Sequence, residues 1–126
     1  MRWTQQFENT TVDLDRVKHA IAMPAFSFYD HASQTMSLTS HEMGVMYCID
    51  RINLFLGWYV LGTEKTLREV YWTIGEAYRY DARLAQATLP VYLDSYFPNL
   101  LTDLELYELM PRFEKARVKI RKRFDF

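Results

Sequence analysis

The sequence predicts an all-α protein: a single small bundle-like domain of about five helices, kinked at prolines. Three observations carry this. Apolar residues recur at helical spacing in several segments, most densely in Thr39–Gly62. The chain has only 4 glycines and 4 prolines in 126 residues, few for the turns of a β-rich fold. Threonine-headed capping patterns precede several of the periodic runs. A chain of this length is expected to be one domain, residues 1–126, large enough to bury a real core.

In chain order, residues 1–10 read as an irregular lead in which Trp3 and Phe7 pack on the body. A first helix is expected from Thr10 or Thr11, with Asp13 and Asp15 in its first turn and Leu14, Val17 and Ile21 as its apolar stripe. Pro24 ends it. Residues 24–38 read as a connecting loop pinned by Phe26, Phe28 and Tyr29.

The central helix opens at Thr39, with Glu42 three residues on in a capping box, and stops at Gly62. Val45, Cys48, Ile49, Ile52, Phe55, Leu56 and Tyr59 share one broad face, and Met43, Leu54 and Leu61 lie opposite. Asp50, Asn53 and Gly57 form a narrow strip between them. A helix apolar nearly all round has to be covered on more than one side. Its length would suit a membrane span, but Asp50, Arg51 and Asn53 near the middle make lipid expensive, so no membrane association is expected.

A further helix is expected over residues 64–80, with Leu67, Val70, Tyr71, Ile74, Ala77 and Tyr78 inward. Trp72 falls on its other face beside Arg68 and Arg79, where an exposed tryptophan would serve as a partner-binding anchor. Asp81 implies a bend or restart, and Pro90 a kink in the helical run of residues 82–97. Pro98-Asn99 reads as a break, and Thr102–Glu105 as a capping box opening another helix that Pro111 interrupts. Phe113, Ala116, Ile120 and Phe124 mark a terminal amphipathic helix.

Charge is unevenly placed. Residues 1–111 hold 8 Lys/Arg and 14 Asp/Glu, a net of −6, and residues 112–126 hold 7 and 2, a net of +5. Arg112, Lys115, Arg117, Lys119, Arg121, Lys122 and Arg123 make a cationic segment suited to phosphates or to an acidic partner. The end, Phe124-Asp125-Phe126, reads as a docking aromatic pair or a frayed terminus.

Chemical constellations are sparse. The glycines are isolated, so no phosphate-binding loop is present. The single cysteine, Cys48, excludes an internal disulfide, and the absence of a secretory leader predicts a reducing, cytoplasmic setting. Cys48 sits on an apolar helix face, where a thiol is a small core hydrophobe. His31 and His41, with Asp30 or Asp50, are the one possible metal or proton-transfer grouping, and their spacing specifies no known site. No cofactor or metal is expected.

Aromatic residues make up 16% of the chain, an excess that suits interfaces as well as cores. The expectation is a non-enzymatic protein–protein interaction module, accessory or adaptor in kind, with a homodimer as one form of it and with contacts through Trp72 and the basic segment. The alternatives are a nucleic-acid-associated protein acting through residues 112–123 and a small enzyme with a histidine–carboxylate site.

Overall fold

A computed structural model describes residues 27–62 and 67–126. The expected helix near residues 11–23, the lead before it and the turn at residues 63–66 lie outside the described residues. Five helices and no strand are found among those described. They are α1 (Phe28–Thr35), α2 (Ser40–Val60), α3 (Leu67–Tyr80), α4 and α5 (Met110–Phe124). The rod α4 runs as Ala82–Val91, continues through a π-helical turn at Tyr92–Tyr96, and ends as Phe97–Asp103. A 3-10 turn at Tyr107–Leu109 leads into α5.

The helix α2 is the axis of the domain. It touches all four of the other helices and packs most extensively against α3. Its buried residues run from Val45 through Cys48, Ile49, Ile52 and Leu56 to Val60, joined on the polar strip by Asn53 and Gly57. The start forms as its sequence predicts. The Thr39 side chain accepts from the Glu42 amide, and the Glu42 carboxylate accepts from the Thr39 amide at 2.8 Å. At the other end Gly62 takes a left-handed φ of 77°, which glycine adopts without a Cβ clash. Near the start, the Tyr80 ring of α3 lies so close to Gly44 that a Cβ there would stand 2.5 Å from it. Glycine at this position is what lets the Tyr80 ring lie against α2.

Four local expectations are corrected: the loop at residues 28–35, the break at Pro98-Asn99, the capping box at Thr102–Glu105 and the interruption at Pro111. Residues 28–35 are a helix, where the sequence reads as a loop. Ser27 caps it, accepting from the Asp30 amide at 3.2 Å, and a second cap arrives from a distant residue, Asp50 of α2. Similarly, Thr102–Glu105 opens no helix. Phe97 and Leu101 are fully buried and carry α4 on past Pro98 to Asp103, and the Thr102 hydroxyl donates to the Pro98 carbonyl at 3.0 Å. Glu105 then turns the chain with a φ of 58°.

The prolines act through α4 and α5. In a regular α-helix a proline ring collides with the carbonyl four residues earlier. Ahead of Pro98 the ladder widens, and the Phe97 amide donates to the Tyr92 carbonyl across a π turn. Pro111 sits in the first turn of α5, where its missing N–H costs nothing, so it begins the helix instead of interrupting it. The expected stripe of α5 is buried at Phe113, Ala116 and Ile120. Asp81 caps the restart after α3 by accepting from the Leu84 amide at 3.0 Å.

Among the described residues, the buried polar ones in the core are Asn53 and Thr73. The Tyr92 hydroxyl donates to the Asn53 side-chain carbonyl at 2.8 Å, with both residues buried. Tyr92→Phe would strip that oxygen of its donor while preserving shape, so the domain should lose about 1–3 kcal/mol. A urea unfolding curve followed by circular dichroism measures it, and an unchanged midpoint would contradict the assigned role.

Candidate functional site

An apolar groove with a volume near 670 Å³ lies between α1, α2 and α4. One wall is Phe28 and His31 of α1 with Met36 and Leu38 of the connection to α2. Met46 and Ile49 of α2 form its floor. The other wall is α4, from Leu84 and Val91 through the π turn to Leu100. Thr88, Ser95, Asn99 and Asp103 supply polar groups on this wall, and among the described residues no lysine or arginine lines the groove. Met36 and Val91 are more than half exposed, so the apolar lining reaches the surface.

The walls are placed by the polar strip of α2. The Asp50 carboxylate accepts from the Ser27 hydroxyl at 2.8 Å, the Phe28 amide at 2.7 Å and the Tyr29 amide at 3.1 Å. These amides are unsatisfied donors of a helix start, and a carboxylate there also meets the positive end of the helix dipole. One turn along α2, Asn53 holds Tyr92 of the π turn. Between the two anchors, Phe28 packs edge-on against Tyr96, with centroids 4.8 Å apart, and against Tyr92 at 6.1 Å. The Tyr92 and Tyr96 rings stack on each other. Burial pushes the Tyr92 phenol well above its ordinary range, reinforced by Tyr96 and by the Asp50 charge, and Tyr96 is raised for the same two reasons, burial first and then Asp50. Both rings therefore stay neutral, as hydrogen-bonding and packing groups.

The sequence-predicted residues fall into separate places. Arg68, Trp72 and Arg79 lie exposed along the outer face of α3, with Trp72 55% accessible. The cationic residues of α5 divide. Arg112 donates to the Tyr59 carbonyl, and its guanidinium lies 4.1 Å over the Tyr59 ring. Arg117 pairs with Glu114 at 2.6 Å and reaches Asp94 at 3.5 Å. Arg121 pairs with Asp94 and donates to the Phe126 carbonyl. Arg123 lies over the Tyr71 ring at 4.7 Å. Lys115, Lys119 and Lys122 remain on the exposed side of the helix. Phe124 and Phe126 are folded onto α3, stacking on Tyr78 at 6.4 and 6.5 Å.

The histidine–carboxylate grouping is not assembled. Asp50 is committed to the start of α1, His31 is exposed on α1 beside the groove, and His41 is exposed in the first turn of α2. Among the described residues no group of three or more His, Cys, Asp or Glu side chains is arranged to hold a metal ion. No described helix is long and apolar enough to cross a membrane. Comparison with known protein families, with characterised proteins and with solved structures finds no match.

The groove has no linear motif that would reveal it in the sequence. Its one local signal is Ser27 followed three residues later by Asp30, a capping spacing that marks α1 and hence one wall.

Cys48 is buried in the same core, and desolvation, helped by Glu76 and opposed by Arg51, pushes its thiol up to about 11. Near neutral pH the thiolate is then scarce. A chromogenic disulfide reagent should label Cys48 at the rate of global unfolding and rapidly in denaturant; fast labelling of the folded protein would contradict this burial.

Proposed function

We propose that this chain is a non-enzymatic protein-interaction module, accessory or adaptor in kind, that docks an amphipathic helix of a partner protein in the α1–α2–α4 groove. The carrying observation is the groove itself: an open apolar channel, rimmed by exposed Met36 and Val91, with hydroxyl and amide groups along one side. Apolar anchors at helical spacing suit such a channel, and methionines at its floor and edge adapt to anchors of different shape. Asp103 on the rim, a lining without lysine or arginine among the described residues, and the net charge of −6 over residues 1–111 favour a partner helix with a basic polar face. The buried free thiol of Cys48 fits a reducing, cytoplasmic setting.

The rival reading is nucleic-acid binding through α5. Its support is the exposed row of Lys115, Lys119 and Lys122. It is weakened because Arg112, Arg117 and Arg121 spend their guanidinium groups on Tyr59, Glu114 and Asp94. Phosphate binding through the remaining cations would fall steeply with salt.

A titration of the isotopically labelled protein separates the two. A designed leucine–lysine amphipathic helix should shift the amides of α1, α2 and α4 around the groove. Val91→Lys, at an exposed position, should weaken that binding at least about tenfold without unfolding the domain. A single-stranded oligonucleotide at physiological salt should leave α5 unmoved. Peptide shifts that map elsewhere, or that ignore Val91→Lys, would overturn the groove assignment.

A further inference from the structure

Around the start of α1 from the groove, we infer a second site: a recess walled by Tyr29, Tyr47 and Tyr80 that binds a quaternary ammonium group, free or carried on a methylated lysine side chain. The inference does not depend on what the groove binds.

The recess has a volume near 820 Å³ and lies between the start of α1, the first turns of α2 and the end of α3. Phe28 and His31 line the groove, and helical phase turns Tyr29 and Asp30 to this other side of α1. The Tyr29 and Tyr47 rings meet at 82° with their centroids 6.4 Å apart, so their faces make a corner. Gly44, one turn before Tyr47, admits the Tyr80 ring against α2 as the third wall. All three rings remain exposed despite these contacts. Leu38 and Met43 complete the wall with apolar surface, and Asp30 stands exposed at its edge.

The lining selects the occupant. Phenol ring faces are electron-rich and attract a cation, most strongly where several surround it. The charged groups of the lining are the carboxylates of Asp30 and Asp50, and among the described residues no lysine or arginine joins them. Asp50 offers charge more than hydrogen bonds. Its Oδ1 accepts from the Phe28 amide, and its Oδ2 accepts from the Ser27 hydroxyl and the Tyr29 amide. Three of its roughly four acceptor positions are then taken. A quaternary ammonium brings charge with no N–H to satisfy, and its methyl groups pack on rings, Leu38 and Met43. A primary ammonium is strongly hydrated and loses more on entering such a wall. Tyr47 already receives one cation, since the Arg51 guanidinium lies 5.8 Å from its centroid and 5.6 Å from that of Phe55. Arg51 lines no part of the recess, so it does not fill the site.

Titration of the isotopically labelled full chain with choline, followed by NMR of the tyrosine rings and backbone amides, tests this. Choline should shift Tyr29, Tyr47 and Tyr80 saturably. The neutral tert-butyl analogue of choline, with carbon in place of nitrogen, has the same shape and should bind about tenfold more weakly. Tyr47→Ala, at an exposed position, should weaken choline binding by about tenfold with the circular dichroism spectrum retained, and Tyr47→Trp should keep it. A short peptide bearing trimethyllysine, set against the same peptide with unmodified lysine, separates the two sources. Tighter binding of the methylated peptide than of choline assigns the cation to a protein side chain, and choline bound as tightly as that peptide assigns it to a free small molecule. Both results uphold the site. Equal affinity for the neutral analogue, or for the unmodified peptide, would overturn the inference. So would shifts that map outside the recess, indifference to Tyr47→Ala, or no saturable binding of choline or the methylated peptide.

Discussion

Asp50 and Asn53, less than one turn apart on α2, hold two neighbouring elements in place. The first gathers the start of α1 through three hydrogen bonds, and the second fixes the π turn of α4 through the Tyr92 hydroxyl. Much else follows from this. A helix apolar nearly all round could be covered by neighbours in many rotations and registers, since apolar contact is not directional. Two polar groups that need specific partners when removed from water select one arrangement. The aromatic contacts of Phe28 with Tyr92 and Tyr96 then close the space between the two anchored walls. The groove is what remains beyond them.

Electrostatics separates the domain into surfaces of different use. The arginines of α5 reach neighbouring groups, Tyr59, Asp94 and Tyr71, on which a planar guanidinium can both stack and pair. The lysines face water. At this exposure the Asp94 pairs contribute little stability each, and their clearer effect is to tie α5 to α4. The terminal phenylalanines, stacked on Tyr78 of α3, tie it on the other side. A segment that stands out in the sequence as a block of positive charge is thus in good part an internal clamp. Lys115, Lys119 and Lys122 remain on its exposed side.

The sequence made the helix-rich class legible because the apolar spacing in α2, α3 and α5 is strong and tertiary structure does not oppose it. The Thr39–Glu42 capping box and the Gly62 stop were readable for the same reason: both are local, and both form. The exposure of Trp72 followed from helical phase alone. The remainder was hidden where the deciding partner is distant. The helix α1 takes a cap from Asp50, more than twenty residues away, so residues 24–38 looked like a loop. Thr102 and Glu105 had the right spacing for a cap, but buried Phe97 and Leu101 kept the preceding helix going. The groove is assembled from three helices and a connection, and no single stretch of the chain carries its signature.

The most direct measurement is amide hydrogen exchange on Asp50→Asn, a change that keeps volume but removes the charge and one acceptor oxygen. If the polar strip sets the groove, protection should fall first and most at the amides of α1 and then along the π turn of α4, while α3 and α5 keep theirs. A uniform loss across all helices would make Asp50 an ordinary contributor to global stability. Unchanged protection in α1 would contradict the account outright, because the start of that helix would then be held by something other than Asp50.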